Sequence, residues 1–291
     1  MVLTSRKLLR HPHLTCVGNY ILFGPIVDDI VRAKNVLTDR GFLCKMLHTT
    51  QYLKTLAVHF HLPAHHNLNQ VADIVPSDTL AYVFFEQNYG DLHTYVRTLQ
   101  KVQEDEAARL FKQIVSVVAH CHDNGVILQD LKLKKFVFCD VERTILKLDS
   151  FEDAHIMGKN DDFVSGKHGC PAYTCPESLQ ADGMYSGKAS NVWSLGIMLY
   201  TVLIGHYPFN DTALGILFSK IQQCKFSLPN TVSPEAACLI RSVLRLDPLE
   251  RLTAKEILDH PWFYSARDGE NLGGSPSCKK NFDQVVPDPF R

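Results

Sequence analysis

Through residue 85 the apolar positions fall in short runs separated by polar stretches. Tyr20-Ile21-Leu22-Phe23, Gly41-Phe42-Leu43-Cys44-Lys45-Met46-Leu47 and Thr79-Leu80-Ala81-Tyr82-Val83-Phe84-Phe85 have the length and side-chain character of β-strands. Segment 51–61 predicts one brief helix, stopped by Pro63. From residue 91 the period lengthens. Over 104–123, Leu110, Phe111, Ile114, Val115, Val117, Val118 and Cys121 build the broad buried face of a helix, which Asn124-Gly125 ends. Short strands are predicted at 126–128, 136–139 and 145–148. Segment 192–204 is apolar nearly all round, as a core helix is. Ser233-Pro234 reads as an N-cap followed by proline at the first helical position, and Thr253-Ala254-Lys255-Glu256 as a capping box. After Phe263 the glycines and prolines multiply, which predicts a flexible tail ending in an extended segment. No internal repeat is visible. The pattern as a whole predicts an α+β chain: a small β-rich lobe, a larger helical lobe and a tail.

Composition narrows the class. Thirty Lys and Arg against 31 Asp and Glu leave a formal charge of −1, which excludes a strongly basic nucleic-acid binder and an acidic disordered chain. No apolar run is long enough to cross a bilayer, and the first residues lack the apolar stretch of a signal peptide. The nine cysteines are scattered, odd in number and without a C-x-x-C pair. An intracellular, reducing compartment is expected, with most of them acting as small buried hydrophobes.

The chemistry-bearing residues come next. Leu128-Gln129-Asp130-Leu131-Lys132 resembles the catalytic loop H-R-D-L-K of protein kinases. Further pieces follow in the order kinases have them. Gly169-Cys170-Pro171-Ala172-Tyr173 with Cys175-Pro176-Glu177 is similar to the end of an activation segment and its A-P-E. Asn191-Val192-Trp193-Ser194-Leu195-Gly196 resembles D-V-W-S-L-G. Arg251 is placed like the arginine that pairs with the A-P-E glutamate, here Glu177, and Lys45 sits on a strand like the nucleotide lysine. The resemblance covers residues 20–263 and implies the bilobal kinase fold. The small lobe then spans about 20–88, the large lobe about 89–263, with an N-terminal extension over 1–19 and a C-terminal tail over 264–291.

Against that background, the machinery of phosphoryl transfer is missing. Transfer relies on positioning and electrostatics around Mg²⁺, a hard cation that takes oxygen ligands. The asparagine expected five residues after Asp130 is Lys135, whose ammonium has no lone pair to give. Aligning Lys147-Leu148-Asp149-Ser150-Phe151-Glu152 with K-x-x-D-F-G puts Ser150 where the metal-binding aspartate belongs. Segment 20–36 has a single glycine, Gly24, where a glycine-rich loop should cradle phosphates. Between Met46 and Ala72 there is no Asp or Glu to orient Lys45. Four separate losses predict a pseudokinase, with no Mg²⁺ bound and ATP bound weakly or not at all. Lys45, Asp130 and Lys132 are then vestigial, kept by hydrogen bonds that hold the loop. Asn191 accepts hydrogen bonds without the charge of the usual aspartate, which predicts a looser catalytic loop.

The wider pattern resembles one family. Leu128-Gln129-Asp130-Leu131-Lys132-Leu133-Lys134-Lys135-Phe136-Val137-Phe138 is similar to the L-R-D-L-K-L-R-K-F-V-F of Tribbles pseudokinases, and Ser150-Phe151-Glu152-Asp153 to their S-L-E-D. Lys167-His168-Gly169-Cys170-Pro171-Ala172-Tyr173 and Tyr185-Ser186-Gly187-Lys188-Ala189 match as well. In the tail, Asp283-Gln284-Val285-Val286-Pro287, followed by Asp288, resembles the D-Q-x-V-P motif. The resemblance implies that this motif binds the WD40 propeller of a constitutive-photomorphogenic-type E3 ubiquitin ligase. It implies an adaptor in which segment 150–176 holds a substrate protein such as a C/EBP-type transcription factor, in the nucleus and cytoplasm. It also implies a site for MAP kinase kinases at Ile257-Leu258-Asp259-His260-Pro261-Trp262-Phe263, although Asp259 departs from the family's leucine.

Plainer readings stand beside these. Trp262 and Phe263 suit a structural seal of the helical lobe. A proline-bearing tail can be a frayed terminus, yet Pro287 and Pro289 pre-extend the backbone and lower the entropy lost on docking. His59, His61, His65 and His66 invite zinc but have no cysteine or acid beside them, and Cys170 with Cys175 reads as buried packing before a redox pair. Two alternatives to the adaptor remain open: a weak metal-independent kinase using Asp130 as base and Lys135 as a cation, and a decoy that sequesters MAP kinase kinases without a ligase.

Overall fold

The computed structural model describes residues 15–265 apart from 28, 152, 159–160, 167–168 and 181–182. The tail motif at 283–288 lies outside the described residues, as does Glu152.

The small lobe is an antiparallel sheet of six strands: β1 (Thr15–Val17), β2 (Tyr20–Val27), β3 (Ile30–Asn35), β4 (Gly41–His48), β5 (Val71–Pro76) and β6 (Leu80–Glu86), in the order β1-β2-β3-β4-β6-β5. Two-residue alternation decides which face is covered. In β3, Val31 and Ala33 point inward and pack with Tyr20, Leu22, Cys44 and Phe84. Tyr20 stacks on Phe84 at 3.7 Å between centroids and meets Phe42 edge-on. The sheet begins at Thr15, so part of the segment expected to precede the domain is its first strand, paired to β2.

Between β4 and β5 the expected single helix is two short ones, α1 (Tyr52–Thr55) and α2 (Ala57–His61), hinged at Leu56. Neither has a side-chain cap or an acid in its first turn. No capping side chain or first-turn acid supports either start, and Leu56 is buried with Val83 and Phe85.

The large lobe is helical. α3 (Leu92–Leu99) starts at Asp91, whose carboxylate accepts from the Thr94 N–H at 2.8 Å. α4 (Glu104–Asp123) buries the predicted face. Short strands follow as antiparallel pairs: β7 (Val126–Leu128) with β10 (Ala154–Ile156), β8 (Phe136–Phe138) with β9 (Leu146–Leu148), and β11 (Phe163–Ser165) with β12 (Met184–Ser186). β10 and the β11–β12 pair were not read as strands from the sequence. α5 (Gly187–Ile204) is the buried core helix, one turn longer than its apolar run because Ser186 caps it. It ends at Gly205, where φ is +90° and a Cβ would lie 1.6 Å from the Gln100 carbonyl oxygen. α6 (Leu214–Gln223), α7 (Pro234–Val243), α8 (Ala254–Leu258) and α9 (Trp262–Ser265) complete the lobe. The Ser233 cap of α7 and the Thr253/Glu256 box of α8 form as read from the sequence.

Segment 257–263 closes the end of this lobe. Ile257, Trp262 and Phe263 are buried, Leu258 and His260 half-buried, and Pro261 exposed. The Trp262 indole N–H donates to Glu104 at 2.8 Å, and the same carboxylate accepts from the backbone N–H and hydroxyl of Ser233. One acid thus ties together the starts of α4, α7 and α9.

Candidate functional site

The site is the cleft between the lobes. β4 is central in its sheet, and its register puts Lys45 opposite Ile30 on β3 and Val83 on β6. Below the sheet lies a cavity of about 240 Å³. Ile30, Leu43, Leu56, His59, Phe85 and Phe151 form its apolar walls, with Lys45, Thr55, Asp149 and Ser150 as its polar groups. Sequence reading named His59 only as a possible zinc ligand and did not place it in the cleft. Its ring centroid is 4.8 Å from that of Phe151 and 5.4 Å from that of Phe85. Burial, and then the nearby Lys45 ammonium, push its pKa down to about 4. The only available signal was its spacing, three residues after Leu56 on one helical face.

On the lower wall, carboxylates and ammonium groups pair with one another. Asp130 follows β7 by two residues. One oxygen accepts from Lys132 Nζ and the other from the Cys170 backbone N–H at 3.2 Å. Gly169 makes this approach possible: its φ is +85°, and a Cβ there would fall 2.3 Å from Asp130 Oδ1. Lys135, in the position of the metal-binding asparagine, sends Nζ to Asp153 Oδ2 at 3.4 Å. Asp149 Oδ1 accepts from the Asn69 amide at 2.6 Å. Lys147 on β9 reaches Glu86 at the end of β6 at 2.6 Å and so pins one lobe to the other.

A divalent cation would need several oxygen donors converging on one point. At the two positions where kinases provide them the cleft offers an ammonium group and a neutral hydroxyl, Lys135 and Ser150. The donor set does not fit Mg²⁺.

Asn191 forms the floor of the loop. Asn191 Oδ1 accepts from the Leu128 N–H at 3.1 Å, and Nδ2 donates to the Leu128 carbonyl at 2.6 Å. A carboxylate could not make the second bond. His122 donates to the same Oδ1 at 3.0 Å, and burial pushes its pKa down to about 4. The amide lacks the charge of the usual aspartate but has a donor, and it bonds both backbone groups of Leu128.

Arg251 and Glu177 form the pair read from the sequence. Two parallel hydrogen bonds of 2.6 and 2.7 Å join them, with the Arg251 side chain 1% exposed. Arg251 also donates to the Ala189 carbonyl and lies 5.1 Å from the Trp193 ring centroid. Segment 154–186 is anchored to α5 at Asp162: its carboxylate accepts from the Ser186 hydroxyl at 2.5 Å and its carbonyl from the Gly187 N–H at 2.8 Å.

The histidines at the end of α2 and just after it make hydrogen bonds within the chain. His61 donates to the Asn124 carbonyl, His65 to Ser116, and His120 of α4 to the Pro63 carbonyl. Among the described residues no group of three His, Cys, Asp or Glu side chains could hold a metal ion. Cys170 and Cys175 are free thiols, the latter bonded to the Ser190 hydroxyl. Among the described residues no helix is long and apolar enough to cross a membrane.

A curled antiparallel sheet over a helical lobe, with Lys45, Asp130, Glu177 and Arg251 in these relative places, defines a protein kinase domain. Residues 29–263 match that family, described as protein kinase domain. The relatives narrow it further. The chain is 52% identical over 276 residues to Tribbles homolog 2 of Bos taurus, covering 94% of this chain and 80% of that protein. It is 48% identical over 274 residues to Tribbles homolog 1 of Homo sapiens (94% and 73%) and 42% identical over 273 residues to Tribbles homolog 3 of Bos taurus (94% and 76%). The chain belongs to the Tribbles family, a pseudokinase family.

Proposed function

We propose that this protein transfers no phosphate and acts by holding other proteins together. In this reading the pseudokinase domain engages a substrate protein through segment 150–176, and the tail motif Asp283-Gln284-Val285-Val286-Pro287-Asp288 engages the WD40 propeller of a constitutive-photomorphogenic-type E3 ubiquitin ligase. Joining two ligands on one chain raises their effective concentration without new chemistry. A C/EBP-type transcription factor is the substrate class proposed, with modulation of MAP kinase signalling as a secondary role and the nucleus and cytoplasm as the location.

The observation that carries the reading is the internal pairing of the cleft. Lys135 faces Asp153, so an ammonium group stands where a kinase keeps a metal ligand, while Lys132 holds Asp130 from the position of the catalytic-loop lysine it resembles. No Mg²⁺ and little or no ATP are then expected to bind. A metal-independent kinase would need Lys135 as its cation, and that ammonium already faces Asp153. The decoy reading rests on segment 257–263, whose largest side chains lie in the core.

The test is a titration of a peptide covering 280–291 against the ligase's propeller, beside the same peptide carrying Val286→Ala and Pro287→Ala. Saturable binding lost in the double variant is expected. Absence of binding removes the adaptor and leaves the decoy.

A further inference from the structure

The start of α7 carries a second signal beside its cap. Ser233-Pro234 is a serine followed by proline, the pair that proline-directed protein kinases modify. Such enzymes take proline after the acceptor because it brings no N–H that would be left unbonded. The sequence holds one other such pair, Ser275-Pro276, which lies outside the described residues. The backbone around Ser233 has the form an acceptor needs. Residues 225–232 form neither helix nor strand, and Lys225, Ser227, Pro229, Asn230, Thr231 and Pro234 are exposed. Ser233 itself is extended, with φ −61° and ψ 156°.

What sets this serine apart is where its hydroxyl goes. It accepts from the Ala236 N–H at 3.1 Å and donates to Glu104 Oε1. The same Oε1 accepts from the Trp262 indole at 2.8 Å, while Oε2 accepts from the Ser233 N–H at 3.2 Å. These donors are all neutral. A single carboxylate oxygen therefore joins the Ser233 hydroxyl to the residue that opens α9.

We propose that Ser233 is a phosphorylation site for a proline-directed protein kinase, and that its phosphate unties α9 from the start of α4. The γ-phosphoryl group of ATP passes to Ser233 Oγ: the Oγ–P bond forms, the P–O bond to ADP breaks, and the hydroxyl proton leaves to the modifying kinase. As an ester, Oγ has no proton left to donate to Glu104. The phosphate carries about 1.5–2 negative charges at neutral pH, and it stands against the carboxylate that holds Trp262. Like charges so close in a half-buried site repel strongly, so Glu104 turns away and the indole loses this acceptor. The start of α7 is spared. A phosphate oxygen takes over acceptance from the Ala236 N–H, and an anion suits a helix N-terminus. Because Ser233 is half-buried, modification proceeds from the locally opened loop, and the phosphate then keeps Ser233 from returning to Glu104. The inference is independent of whether the tail recruits a ligase.

The test uses the full chain carrying Ser275→Ala, a purified cyclin-dependent kinase as the proline-directed enzyme, and ATP with Mg²⁺. Tandem mass spectrometry is expected to find phosphate at Ser233. Pro234→Ala, at an exposed first helical position, is expected to slow its incorporation about tenfold or more. A ¹H–¹⁵N spectrum then follows the indole N–H signals of Trp193 and Trp262, assigned with Trp262→Phe. Phosphorylation is expected to speed solvent exchange of the Trp262 indole about tenfold or more and to leave that of Trp193, fully buried in the core, unchanged. In Glu104→Gln, whose amide can donate to the phosphate, the phosphate-induced change is expected to shrink. Should Glu104→Gln fail to fold, the two indole signals decide. A chain left unmodified at Ser233 overturns the proposal. So does a phosphorylated chain whose Trp262 indole is unchanged, or whose Trp193 indole changes equally.

Discussion

Lys135 Nζ lies 3.4 Å from Asp153 Oδ2, with the lysine side chain 10% exposed and the aspartate 55%. A basic residue stands where a kinase needs a metal ligand, and it faces an acid that is itself five residues past β9. The cleft meets its need for positive charge from its own sequence. At this exposure the pair contributes on the order of 1 kcal/mol or less to stability, so its importance lies in what it excludes.

Replacing Lys135 by Asn and Ser150 by Asp together returns oxygen donors to both positions. The double variant is expected to gain a Mg²⁺-dependent rise in thermal midpoint that the parent lacks. Differential scanning fluorimetry with and without Mg²⁺ reads this directly, and a parent that responds as strongly as the variant contradicts the account of the cleft.

Breaking the Arg251–Glu177 fork leaves a buried charge without its partner. Glu177→Gln and Arg251→Ala are each expected to cost roughly 3–5 kcal/mol. Arg251→Lys recovers only part, because a point ammonium cannot donate two parallel bonds. Urea denaturation checks the order, and equal stability of the Lys variant and the parent would refute it.

Asn191→Asp restores the kinase residue but removes the donor to the Leu128 carbonyl. With the aspartate ionised, a loss of about 1–3 kcal/mol is expected at neutral pH. A variant as stable as the parent would mean that the amide's donor adds nothing.

The buried histidines make stability depend on pH. His59 and His122 both have folded pKa values of about 4 against an ordinary 6.5, so between those values the unfolded chain binds more protons. Their contribution is complete above pH 6.5 and declines as pH falls toward 4, by on the order of 3 kcal/mol for each ring. Urea midpoints across that range should flatten in His122→Gln, and an unchanged slope would show that the ring is not responsible.

Segment 257–263 separates packing from docking. Trp262→Ala is expected to cost roughly 3–5 kcal/mol, because the indole is fully buried and bonded to Glu104. Pro261→Ala, at an exposed position, leaves stability unchanged. A MAP kinase kinase captured by this segment must lose affinity for the Pro261 variant, and a pull-down beside a melting curve tells the two effects apart.

Much of the framework was legible in the chain. The caps at Ser233 and Thr253 are local hydrogen bonds within three residues, which residue type nearly specifies. The Arg251–Glu177 pair spans 74 residues and was read only because the order of kinase segments is itself a sequence signal. Asn191 was read for its lost charge, while its second bond depends on where α5 sets the amide against β7. His59 was read only as part of a histidine cluster and His122 was not singled out, because any histidine in a helix looks alike until its surroundings are known.

The residues at the metal positions, the missing acid between 46 and 72 and the single glycine of the second strand are facts of sequence. They determine that the cleft lacks a kinase's donors, since no conformation gives an ammonium a lone pair. The folded structure alone decided what took their place: Lys135 against Asp153, and a ring-lined cavity under Lys45. Such pairings depend on packing between distant segments, and no residue carries that information in its immediate neighbours.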